Sequence, residues 1–159
     1  MRTLAVDYGA RRIGLAISDA SGTLARPLAT IEGRRTPDAA AAAVAEAIAE
    51  FERAGERVAV LVVGNPTRLD GSPNDQTPHA RAFARALERR ASGRPVVLQD
   101  ERLTSHEAER LLATRERDWR VRKARLDAAA AAVILQEYLD LEPGGRAVGS
   151  ADGNGEPEA

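Results

Sequence analysis

The chain has 159 residues, 43% apolar and 30% charged, which suits one globular domain with a sizeable core. It has no cysteine, which excludes disulfides and thiolate zinc sites, and no apolar run near the roughly 18 residues of a membrane span. A formal net charge of −1 argues against a generally basic coat.

Residues 3–8 and 13–18 read as two strands joined by a short turn, the pattern of a hairpin. A third strand is expected over 24–31, with Pro27 marking an edge or an irregularity. Residues 37–54 form a helix, with Pro37 at its start, alanines at 39–43, and Val44, Ile48 and Phe51 at helical spacing. The β-branched run 58–63 predicts a strand covered on both faces, followed by a turn-rich loop over 64–75. A helix then runs from Thr77 to about Ala91, and a short buried strand covers 95–99. Thr104 and Glu107 fit a capping box for a helix to about Arg117, and a final helix is expected over 126–141. The order β-β-β-α-β-α-β-α-α predicts an α/β domain over residues 1–141. Its mixed five-stranded sheet has a three-strand antiparallel meander, parallel strands and flanking helices. Residues 142–159 read as a disordered acidic tail of net charge −3. The N-terminus runs straight into a strand and leaves no room for a signal peptide, so a cytoplasmic location is expected.

Acids stand at three places where an acid is costly. Asp7 closes the apolar run Leu4-Ala5-Val6, and glycines at 9 and 14 suggest a tight turn or backbone close to a ligand. Asp100 and Glu101 end the fifth strand; alternation puts them on opposite faces without saying which joins Asp7. Asp127 is expected in the first turn of the last helix, where it would favour the helix dipole. It shares a face with Ala131, Ile134, Leu135 and Tyr138, however, and that face looks buried. A carboxylate there needs an arginine or a shared metal. Oxygen-only ligation suits Mg²⁺ or Mn²⁺, ions that support in-line phosphodiester cleavage.

Residues 115–125 hold six basic and two acidic side chains and could meet phosphates. Arg68, Arg81 and Arg85 could extend such a surface, although solvated loop and helix faces explain them as well. Trp119 could stack on a base but more simply packs across a helix end. His79 and His106 read as helix surface, so metal-bound water rather than histidine would have to act as the base.

The segment from Asp7-Tyr8-Gly9 through Arg12-Ile13-Gly14 to Ser18-Asp19 resembles the opening signature of the YqgF-type family. These are bacterial Holliday-junction-resolvase-like proteins, also described as pre-16S ribosomal RNA nucleases. The likeness continues in Val62-Val63-Gly64-x-Pro66, Asp70-Gly71-Ser72, Gln76, Asp100-Glu101-Arg102-Leu103-Thr104-Ser105 and Asp127-Ala128, through Ile134-Leu135-Gln136. The blocks stand in family order over residues 1–141. The departures are Asn65 where an apolar residue is usual, the variant loop Thr67-Arg68-Leu69, and Ser105 in place of a threonine.

The resemblance implies an RNase H-like fold and a Mg²⁺ or Mn²⁺ endonuclease. Its acidic triad would be Asp7, Glu101 and Asp127, with Asp100 adjacent and Arg12, Arg102 and Thr104 near the substrate phosphates. It implies 5′-end maturation of pre-16S ribosomal RNA, with resolution of branched DNA as the close alternative. A homodimer would suit a symmetric junction. Two other classes compete. An actin-like sugar kinase also opens on an Asp-x-Gly loop but needs a second lobe. A non-catalytic nucleic-acid-binding factor would not need an intact triad.

Overall fold

The computed structural model describes residues 1–66, 70, 72–100 and 119–141, with side chains in the last helix from residue 127 onward. Strands β1 (Arg2–Tyr8), β2 (Arg12–Ser18) and β3 (Ala25–Glu32) form the meander. They are followed by α1 (Pro37–Arg53), β4 (Val58–Asn65), α2 (Thr77–Arg89), β5 (Val96–Asp100) and α3 (Trp119–Leu141). The five strands form one sheet in the order β3-β2-β1-β4-β5. Pairing is antiparallel within the meander and parallel for β1 with β4 and β4 with β5.

Side-chain size on the two faces of the sheet sets how close each helix layer lies. Leu4, Val6, Ile13, Leu15, Ile17, Leu61 and Val63 project from one face against Val44 and Ile48 of α1 and Phe83 and Leu87 of α2. The other face presents smaller groups. Ala5, Ala16, Val60 and Val62 meet Ala131, Ile134, Leu135 and Tyr138 of α3. An alanine-rich helix on an alanine-rich sheet can approach closely, and the backbone of α3 comes nearest at Gly14. A Cβ there would run into the carbonyl of Asp127.

Local chemistry stops and joins the elements. The Thr36 side chain accepts from Ala39 N at 3.1 Å to cap α1, and Pro37 follows in the first turn. Asp19 accepts from the backbone N–H groups of Thr23 (2.8 Å) and Leu24 (3.2 Å), closing the β2–β3 turn. Those bonds hold its carboxyl below the usual range. Gln136 clamps α3 to the same turn, accepting from Ala25 N and donating to Thr23 O, both at 2.9 Å.

The predicted order of elements holds throughout the described residues. Pro27 lies on the edge strand, beside a register shift at Leu15/Ala16, so it marks both an edge and an irregularity. β4 extends two residues beyond the apolar run because Gly64 and Asn65 still pair with Gln99 and Asp100. The largest difference is α3, which begins at Trp119 rather than at 126. Asp127 is therefore two turns inside the helix, and the first-turn dipole explanation for it falls. The predicted helix after Thr104 and the tail over 142–159 lie outside the described residues.

Candidate active site

Alternation along β1 sends Leu4, Val6 and Tyr8 to the α1/α2 face and Ala5 and Asp7 to the α3 face. Asp7 is directly opposite Gly14 on β2, and Gly14 is the point where the Asp127 backbone comes down on the sheet. The missing side chain at 14 thus brings two carboxylates together from elements 120 residues apart. Asp7 is half-buried, and its carboxyl is pushed up to about 7, first by burial and then by the negative charge of Asp127.

Arg12, two residues before Gly14, reaches the same place. Its Nε donates to Asp127 Oδ2 at 2.9 Å, with both side chains about one-third exposed. The described site is one guanidinium and two carboxylates, with an excess of negative charge. Both possible metal ligands, Asp7 and Asp127, offer hard carboxylate oxygens. This composition fits Mg²⁺ or Mn²⁺, and a divalent ion would offset the burial and the repulsion that together raise Asp7. Among the described residues no three or more acidic, histidine or cysteine side chains are grouped so that they could hold a metal ion. Glu101, Arg102 and Thr104 lie outside the described residues.

Asp100 is directed elsewhere. Val97 packs on the α3 face and Val96 on the α1/α2 face, so Asp100 falls on the latter, away from Asp7. It accepts from Asn65 Nδ2 at 3.0 Å, across the pairing of β4 with β5. Asn65 is 6% exposed, and its Oδ1 has no hydrogen-bond partner among the described residues. Sequence reasoning marked Asn65 only as a departure; the acid directly across the strand pair was the signal for its role. Arg81, Arg85 and His79 are exposed on α2, which covers the face opposite Asp7. Arg68, His106 and the side chain of Trp119 are outside the described set.

Several signature residues serve the fold. Ser18 Oγ accepts from Thr3 N at 2.9 Å, and Asp19 and Gln136 hold the turn described above. Gly9 and Gly14 make room for the chain itself. A Cβ at Gly9 would meet the Arg12 carbonyl, as one at Gly14 would meet Asp127. Of the two expectations for these glycines, the tight turn holds for Gly9, between β1 and β2, and close packing of backbone on backbone stands in place of room for a ligand.

The family model described as "RuvX: Holliday junction resolvase" matches residues 1–141. The chain belongs to the RuvX family. A protein of Anaeromyxobacter sp. (strain Fw109-5) named "Putative pre-16S rRNA nuclease" is 45% identical over 140 residues, 88% of this chain and 97% of its own. One of the same name from Thiobacillus denitrificans (strain ATCC 25259 / T1) is 44% identical over 137 residues, 86% and 90% of the two chains. Among solved structures, T. thermophilus RuvC in complex with Holliday junction substrate superposes with a TM-score of 0.50 at 16% identity, covering 90% of this chain and 97% of that one. At that identity the likeness is one of fold, and the fold is RNase H-like. Membership of RuvX makes nuclease the function class of the chain.

Proposed function

We propose that this chain is a cytoplasmic, divalent-metal-dependent endonuclease that matures the 5′ end of pre-16S ribosomal RNA. The observation that carries the reading is the Asp7–Asp127 carboxylate pair, held on one face of the sheet with Asp7 pushed up to about 7. Structural acids are normally placed to avoid such repulsion, and perturbed carboxyls gather at functional sites. The names of the 44–45% identical relatives support ribosomal RNA as the substrate.

Asp7 and Asp127 would hold the ion, with Glu101 as the third ligand. Alternation along β5 supports Glu101 over Asp100, because Asp100 is directed to the other face and taken by Asn65. Bound Mg²⁺ or Mn²⁺ supplies an activated water and stabilises the leaving oxygen. Arg12 holds Asp127 in position and presents its remaining N–H groups to a substrate phosphate. Arg102 and Thr104 are proposed to flank the same phosphate.

A second reading, resolution of four-way DNA junctions, is favoured by the description of the family model. A homodimer would then supply two cuts. One assay separates the readings: purified protein with Mn²⁺ is given precursor 16S RNA and, separately, a four-way DNA junction. Cleavage at the RNA 5′ end is expected. Cleavage of the junction alone would move the assignment to DNA. Binding with no cleavage of either substrate would make the chain a nucleic-acid-binding factor.

A further inference from the structure

A groove of about 520 Å³ opens at the β3 edge of the sheet, beside the carboxylate pair. Ala10, Arg11 and Arg12 form one wall; Thr30, Glu32 and Gly33 form the other. Arg12 belongs to both places, because it lines the groove and also binds Asp127. The groove therefore starts at the site.

The two walls are fixed to each other. Gly33 N donates to Arg11 O at 2.8 Å, and a Cβ at Gly33 would collide with the Ala10 carbonyl. Gly33 lies against the β1–β2 turn, and Arg34 and Arg35 follow it in the chain, Arg34 on the side of α1. Arg34 is folded along the strand end, donating to Glu32 O at 2.6 Å and Gly33 O at 3.3 Å. Arg11, Arg34 and Arg35 are all exposed. With Arg12 they put four guanidiniums around the β1–β2 turn and the end of β3, in a chain whose net charge is −1; Glu32 shares the groove, and Arg34 also lines an adjoining hollow beside α1 with Glu46 and Glu50. Arg11, Arg34 and Arg35 form no ion pair among those described, so their guanidiniums are not locked to a carboxylate.

The geometry points to a backbone track. Arg11, Arg34 and Arg35 bind successive phosphates of the nucleic-acid strand flanking the scissile bond and lead it along the β3 edge to Arg12. This inference rests on the nuclease reading and extends it to how the substrate is held. The contacts are to phosphate and not to bases, so the track supplies affinity and register without sequence preference. It also predicts that a substrate cut back to the scissile phosphate on that side binds weakly.

The test is fluorescence anisotropy with a labelled pre-16S 5′-end RNA, titrated at 50–200 mM salt in chelator so that no hydrolysis occurs. Each phosphate contact on a single strand contributes about 0.7 to the slope of log K against log salt. Arg11→Ala/Arg34→Ala/Arg35→Ala should lower that slope by about 2, with roughly a hundredfold loss of affinity near 0.1 M salt. The all-lysine triple variant keeps the charge and should retain most of the slope. Arg57→Ala, an exposed arginine before β4, serves as the control. If wild type binds the RNA and the triple alanine variant binds it with the same slope, the track is refuted while the nuclease reading stands. If wild type binds neither this RNA nor a junction at any of these salt concentrations, the nuclease reading fails and the track fails with it.

Discussion

Neutralising Asp7 should stabilise the metal-free protein, because the fold holds this carboxyl at about 7 against an ordinary value of 3.8. Between those two values the folded chain keeps a proton that the unfolded chain has lost. Stability must therefore fall as pH rises from about 4 to about 7. Below pH 4 the group is protonated in both states and contributes no difference. Above pH 7 the full penalty applies, at most ~4 kcal/mol for a shift of this size. Asp7 is half-buried, so solvent screening brings the expected penalty to about 2–4 kcal/mol. Asp7→Asn keeps the shape and removes the charge. In chelator, wild type and variant should unfold alike at pH 4 and diverge steadily to pH 8, where the variant is more stable. At roughly 2–4 °C per kcal/mol, the gap at pH 8 should be about 5–15 °C in the melting midpoint. Urea melts at five pH values give the same difference as free energy. Parallel pH profiles, or a variant less stable than wild type at pH 8, would refute the reasoning. Mn²⁺ should reverse the ranking, raising the wild-type midpoint and leaving the variant nearly unchanged.

Arg12→Ala removes an ion pair about one-third exposed and should cost no more than about 1 kcal/mol in a thermal melt, while cutting nuclease activity at least tenfold. A large loss of stability would make Arg12 a structural residue. Gly14→Ala pushes a methyl group against the Asp127 backbone and should cost about 1–3 kcal/mol. Because α3 must retreat from β1, the pH-dependent part of the stability tied to Asp7 should shrink in the same melts; an unchanged profile would count against Gly14 as the site's spacer. Phe83 is fully buried and stacks on Tyr8 with centroids 4.5 Å apart. Phe83→Ala should cost about 3–5 kcal/mol in urea unfolding, and a loss below 1 kcal/mol would contradict the packing described.

Periodicity and apolar runs were enough to read the order of elements, because the central strands and the helices bury faces whose spacing is visible in the residues; β5, expected to be buried, instead lies at the sheet edge with no fully buried residue and Leu98 42% exposed. Both failures of extent occurred where polar residues continue an element. Gly64 and Asn65 remain in β4 because β5 pairs with them, and no local propensity indicates that partner. The first turns of α3 fall in the basic stretch, whose charge masked its helical character. Asp7, Arg12 and Asp127 were legible as candidates, but their meeting depends on long-range facts. These are the Asp7–Gly14 register and the descent of α3 onto Gly14. The choice between Asp100 and Glu101 was not open to strand alternation alone, since the phase of β5 is set by its register on β4. With Leu98 opposite Val63 and Asp100 opposite Asn65, Asp100 turns from the site. The groove at the β3 edge left no motif, because its arginines come from two turns joined by the Gly33–Arg11 hydrogen bond.

Asp7 and Asp127 are proposed to act together at a metal-dependent nuclease site. The most direct test is the rate of Mn²⁺-dependent cleavage of pre-16S RNA by wild type and by folded Asp7→Asn and Asp127→Asn proteins, each checked by its melt. Robust cleavage by wild type and a loss of at least a thousandfold in both variants is the predicted result. A folded variant that cleaves within a few-fold of wild type would contradict the account.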